Sequence, residues 1–135
     1  MEQVKVIIEK SVYGFSAYMD SGDENLSYGL LGEGKTVKET IRDFQDAYED
    51  MKEYYTSVGK PFVEAEFEFF YDTASFIQYF SKAFSIAGLG RITGINQKQL
   101  GHYVSGYRKP SKKTVEKFEK GIHAFCAELS AARFI

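Results

Sequence analysis

Tryptophan is absent from this sequence of 135 residues, cysteine occurs once and proline only twice. A single Cys126 permits no internal disulfide and no cysteine-based metal site. A lone thiol suits a reducing compartment, so the expectation is a cytoplasmic protein without metal or cofactor. No apolar run approaches the ~20 residues that a membrane span needs. The first residues, Met1-Glu2-Gln3-Val4-Lys5, are too charged for a secretory signal. The Asn25-Leu26-Ser27 sequon therefore carries no expectation of glycosylation. Repeats, low-complexity tracts and a flexible linker are lacking too. What is plentiful is apolar: 44% of residues are hydrophobic and 16% are aromatic, all Phe or Tyr. Such a chain buries a core, and its length fits one domain or two small ones.

Charge divides the chain. Residues 1–72 hold seven Lys/Arg and sixteen Asp/Glu, a net of −9, whereas residues 73–135 hold ten and three, a net of +7. Two modules with different partners follow from this asymmetry, the basic one suited to a polyanion and the acidic one to a cationic surface. An acidic solvated surface without a partner is the plainer alternative.

In the first module Val4, Val6 and Ile8 stand at alternate positions, as do Tyr13, Phe15, Ala17 and Met19. Both read as half-buried strands of a hairpin turning near Val12-Tyr13-Gly14. Leu26–Leu31 reads as a weaker third strand after a turn at Asp20-Ser21-Gly22-Asp23. From Val37 the period lengthens: Val37, Ile41, Phe44, Tyr48, Met51 and Tyr55 form one helical stripe. Thr36 and Glu39 make a capping box at its start, and Gly59 and Pro61 end it. Asp43, Asp46, Asp50 and Glu53 read as a solvated helix face. Ala65, Phe67, Phe69 and Tyr71 then alternate with Glu64, Glu66 and Glu68, a fourth strand with one acidic face. The fold expected for 1–72 is a β-β-β-α-β antiparallel sheet backed by one helix, and 73–135 is expected to be all-α, an α+β protein overall.

The helical pieces of the second module fall at 73–85, 86–93, 97–105 and from 112 onward. The last has an apolar stripe at Val115, Phe118, Ile122, Phe125 and Leu129 with His123 packed beside it. Between them Leu89-Gly90 offers an anchor and a small residue for close helix approach. Gly94 suits a left-handed turn, Asn96 suits an N-cap, and Ile95, Leu100 and Tyr103 are spaced to enter a core. Gln97, Lys98, Gly101 and His102 are left facing outward, and Gly106 ends the helix. Gln pairs with adenine and Lys with guanine edges. An ordinary helical hairpin, or one used only for protein contact, is the alternative.

This string, from Leu89-Gly90 through Gly94-Ile95-Asn96-Gln97, Leu100-Gly101, Tyr103 and Gly106 to Arg108-Lys109-Pro110-Ser111, resembles the lambda-repressor-like (XRE-type) helix-turn-helix. The resemblance implies base contacts by Gln97, Lys98 and His102, and phosphate contacts by Asn96, Arg108, Lys109 and Lys112. It also implies a double-stranded DNA operator and a homodimer or higher oligomer. The whole order, with Val4-Lys5-Val6-Ile7-Ile8-Glu9, Gly14-Phe15-Ser16-Ala17-Tyr18 and Gly34-Lys35-Thr36-Val37-Lys38-Glu39-Thr40-Ile41, resembles the HicB-family antitoxins. That resemblance implies a partial, inactive RNase H-like unit over 1–72. Such a unit masks a small basic RNA-cleaving toxin, HicA, while the regulator represses its own operon. The family's Pro-Asp-Leu-Pro-Gly loop is replaced here by Ser27-Tyr28-Gly29-Leu30-Leu31-Gly32, so a stand-alone regulator is the alternative.

Gly29-Leu30-Leu31-Gly32-Glu33-Gly34-Lys35-Thr36 also satisfies the P-loop pattern, with Asp72 as an imaginable magnesium ligand. One helix in 72 residues and a net charge of −9 argue against nucleotide hydrolysis. No Ser-His-Asp set and no His pair at ligand spacing occurs, and no enzymatic activity is expected.

Overall fold

Alternation in the first ten residues builds β1 (Glu2–Lys10), whose Val4, Val6 and Ile8 are buried. The computed structural model describes residues 1–20 and 25–135; apart from Asp20, the turn expected at 20–23 lies outside them. The chain divides into two compact units, 1–72 and 73–135. Among the described residues it is a mixed α+β protein with one four-stranded sheet and five α-helices.

In the first unit β1 turns into β2 (Phe15–Met19), pairing antiparallel with Lys10 opposite Phe15 and Ile7 opposite Tyr18. Tyr13 stays outside β2, at the hairpin tip with Val12, and both are exposed. Gly14 is required there because a Cβ on it would lie 2.2 Å from the Gly34 carbonyl oxygen. The third strand starts later than its pattern predicted: β3 is Leu31–Gly34, antiparallel to β2. The alternation itself holds from Tyr28 onward, with Tyr28 and Leu30 buried. β2 ends at Met19, opposite no residue before Leu31, so the ladder stops while the side chains continue inward. Tyr28 stacks on Phe62 at 4.8 Å, and its hydroxyl donates to the Val63 carbonyl.

The expectation of an antiparallel sheet fails at the last strand. The order is β3-β2-β1-β4, and β4 (Ala65–Tyr71) runs parallel to β1. The physical reason is α1 (Val37–Ser57). A long helix between two strands returns the chain to the end where it left, so the next strand points the same way. The helix is capped largely as its sequence predicts. The Thr36 hydroxyl accepts from the Glu39 amide, while the Glu39 carboxylate reaches back to the Lys35 amide at 3.0 Å, one residue before the usual target. Phe44, fully buried, meets Phe67 and Phe69 edge-on at 5.0 and 5.6 Å. β3 passes close beneath the helix because Gly32 has no side chain: a Cβ there would sit 2.6 Å from the Thr40 carbonyl oxygen.

On the sheet face away from α1, Tyr18 carries a pH signature. Burial, then a hydrogen bond to the Glu9 carboxylate and nearby acids, pushes its phenol up to about 12. The unfolded phenol ionises near 10, so the stabilisation is complete below about pH 10 and is lost as pH rises toward 12. An ultraviolet titration of tyrosinate should show one late tyrosine that Tyr18→Phe removes. If that variant leaves the curve unchanged, the Glu9 contact is not made.

The second unit holds α2 (Thr73–Tyr79), α3 (Ile86–Thr93), α4 (Gln97–Ser105) and α5 (Lys112–Ala131). The helix expected over 73–85 ends at Tyr79 and tightens into a 3₁₀ turn, Phe80–Lys82. The amides of Ala83 and Phe84 both reach the Phe80 carbonyl there. Ile77, Leu89, Ile95, Leu100, Tyr103 and Phe118 form its core. The closest helix contact is not at Gly90, where a Cβ would lie 3.2 Å from the Ile95 carbonyl oxygen, but at Gly121 of α5, where it would lie 2.8 Å from the Thr93 Cα. The α5 stripe is only partly covered. Phe118 is buried and Phe125 half-buried against Phe84, whereas Leu129 is exposed. His123 is exposed rather than packed, because the core reaches only the first half of the helix.

Candidate nucleic-acid interface

α3 begins at Ser85, whose hydroxyl accepts from the Gly88 amide, and closes at Gly94 in the left-handed region with φ +74°. The Gly94 amide donates to the Gly90 carbonyl, and Lys117 donates its ammonium to the Gly94 carbonyl at 3.2 Å. That cation therefore serves the end of the helix, where a positive charge is favourable. Two residues later Asn96 starts α4, its side-chain oxygen accepting from the amides of Lys98 at 2.8 Å and Gln99 at 3.4 Å. Ile95, Leu100 and Tyr103 turn inward. Burying those three fixes the rotation of α4 and so decides which residues are left outside.

Gln97, Lys98 and Gln99 are exposed on the first turn. Gln97 and Gly101, and Lys98 and His102, are each four apart and share a face. A Cβ on Gly101 would meet nothing within 4 Å, so the middle of that face is flat and open. His102 is less free than its spacing implied. It is half-buried, with its ring 4.8 Å from that of Tyr107. Tyr107 is 71% exposed, and the Arg108 guanidinium lies over its ring, 6.0 Å from the centroid. The Arg108 amide donates to the His102 carbonyl, which ties the segment after α4 back to the helix. Gly106, left-handed at φ +80°, makes that return possible. Arg108, Lys109 and Lys112 are exposed, and Asn96 is exposed with its side-chain oxygen already engaged in capping.

Tyr107 was missed by the sequence reasoning. Its signal was an aromatic residue directly after a helix-ending glycine, in a segment too short to bury it. The electrostatics are one-sided. Residues 73–115 contain no Asp or Glu and seven Lys/Arg: Lys82, Arg91, Lys98, Arg108, Lys109, Lys112 and Lys113. A cleft of about 620 Å³ in the same unit is lined by residues including Phe84, Arg91, Phe125 and Glu128, and by none from α4.

The P-loop pattern has a different fate. The Glu33 amide donates to the Asp43 carboxylate at 2.8 Å, and the Lys35 amide donates to Glu39. Donors that would face a phosphate are thus satisfied by the chain's own carboxylates, and Asp43 is not a free solvated acid. β3 also lies antiparallel to its neighbour β2. Among the described residues no group of His, Cys, Asp and Glu is placed to hold a metal ion, and no helix is long and apolar enough to cross a membrane.

No protein-family model matches the chain, and neither a curated protein nor a solved structure matches it.

Proposed function

We propose that this chain is a sequence-specific DNA-binding transcriptional regulator of the antitoxin type. Residues 73–135 act as a lambda-repressor-like helix-turn-helix, and residues 1–72 as a partial RNase H-like, HicB-like unit that meets a small basic protein. One observation carries the reading. The capped first turn of α4 presents Gln97 and Lys98 outward, from a stretch of chain that holds seven cations and no carboxylate. In this reading Gln97 and Lys98 meet base edges, and Arg108, Lys109 and Lys112 meet phosphates. Asn96 contributes chiefly by setting the helix start, and His102 braces Tyr107. The regulator acts as a homodimer on a two-fold operator, in the cytoplasm, without cofactor and without catalysis.

A stand-alone regulator with no toxin partner is the second reading. It is favoured by the strap 28–30, where Tyr28 and Leu30 are committed to the chain's own core. Nucleotide hydrolysis is the least favoured, since the amides of Glu33 and Lys35 are already occupied.

Enrichment of random duplex oligonucleotides on the full chain tests the DNA-binding reading. The expected product is a pseudo-palindrome bound with a steep salt dependence, log K falling by roughly 0.9 per phosphate contact against log salt. Arg108→Ala and Lys112→Ala should each weaken all sequences alike and lower that slope by about one. If no sequence is enriched, the reading fails. Co-purification with a small basic protein encoded beside the gene separates the antitoxin from the stand-alone regulator.

A further inference from the structure

We infer that the sheet face of residues 1–72 turned away from α1 is a docking surface for a cationic protein with an apolar centre. The inference rests on reading this unit as protein-binding, and not on the DNA-binding reading of residues 73–135.

The inward residues of the sheet, Val4, Val6, Ile8, Phe15 and Ala17, are all buried. Period-two alternation sends their neighbours to the other side. In register across all four strands, Leu31 pairs with Tyr18, Tyr18 with Ile7, and Ile7 with Phe70. Four apolar or aromatic side chains therefore form one continuous row, roughly 14 Å long at the usual strand spacing. Its two ends are open, with Leu31 55% and Phe70 42% exposed. A row of this kind lying in the middle of a sheet face is a contiguous patch rather than a scattered residue.

The surroundings of the row select its occupant. Glu33 lies beside Ser16, which lies beside Glu9, two residues along the strands from the row. On the other side Glu68 lies beside Lys5, and Glu66 beside Gln3, which donates to it. Acids thus flank the row on both sides. Lys5, the one lysine among the described sheet residues of this face, sits over the Phe70 ring at 5.6 Å and next to Glu68, so it offers little to a partner's carboxylates. An apolar centre inside a charged rim is the anatomy of a protein interface. A second copy is disfavoured, because a two-fold contact would set this acidic rim against itself. A partner whose apolar residues are ringed by Lys and Arg satisfies both parts.

The test uses the full chain as bait for a displayed library of random peptides, with the selected peptides sequenced and the strongest synthesised. Enrichment in Lys and Arg around apolar residues is expected, with binding that weakens as salt is added. The double variant Leu31→Ala/Phe70→Ala should weaken that peptide by more than about tenfold. Glu33→Gln/Glu68→Gln should chiefly slow association and flatten the salt dependence. Both variants alter exposed side chains and should leave the hydrogen-exchange protection of residues 1–72 and any DNA complex unchanged. The inference is overturned by a selection that yields no binder or acidic binders, or by binding indifferent to the variants. A wild-type dimer that the apolar double variant converts to a monomer overturns it as well. Loss of the DNA reading with peptide binding intact leaves the surface standing on its own.

Discussion

Phe44→Ala is expected to cost about 3–5 kcal/mol, the range for truncating a fully buried aromatic side chain. Phe44 has no exposed surface, and its ring is the point where α1 meets β4, edge-on to both Phe67 and Phe69. The backbone cannot close the void easily, since β3 already passes under the same turn with only Gly32 between them. Set against a typical total stability of about 5–15 kcal/mol, such a loss leaves residues 1–72 only marginally folded. Hydrogen exchange resolved to peptides is the appropriate measurement, because one midpoint for a chain with two cores is not well defined. Protection should collapse across β1, β4 and α1. It should persist in peptides around Leu89 and Leu100, which belong to the separate core of residues 73–135. A loss below about 1 kcal/mol, the ordinary scale of a point substitution, would show that the helix is not anchored through this ring.

The same helix marks where sequence reasoning succeeded and where it ran out. Its stripe from Val37 to Tyr55 and its cap at Thr36 were legible, because both are local and both follow from one period and one hydrogen bond. The direction of β4 was not. Alternation states which side chains of 65–71 are buried and says nothing about the strand beside them, so an antiparallel sheet was expected. The missing inference was available in the topology: a strand, a long helix and a strand form a crossover, and crossovers join parallel strands. β3 failed differently. Its period-two pattern was sound from Tyr28, yet the partner strand was too short to pair with all of it. In the second unit Gly94, Asn96 and Gly106 fell where their conformational roles require. Gly121 was overlooked, because a helix crossing is a contact between distant residues and leaves no local mark. Of the candidate site, the outward position of Gln97 and Lys98 was readable from the inward trio around them. The packing of His102 on Tyr107 was not, since it depends on how the chain turns after Gly106.

Gln97→Ala/Lys98→Ala is expected to remove most discrimination between the selected operator and unrelated DNA. Each good base contact contributes about 1–3 kcal/mol, so the pair together accounts for several kcal/mol of specificity. The fold gives no reason for these truncations to destabilise the helix. Both side chains are exposed, and the Asn96 cap reaches the backbone amide of Lys98, which alanine retains. Asn96→Ala is therefore the informative control: it should cost roughly 1 kcal/mol of helix stability while shifting base preference little. His102→Ala should act mainly through Tyr107, releasing a ring now held 4.8 Å away. Tyr107→Ala should then reproduce its effect, and the two substitutions should not add, as neighbours in one contact rarely do. The readout is the ratio of operator to nonspecific binding at fixed salt, because the phosphate contribution alone changes with ionic strength. If the double variant weakened both DNAs equally, Gln97 and Lys98 would be backbone contacts. The bases would then have to be read elsewhere, and the open surface over Gly101, with Tyr107 at its end, would be the next place to look.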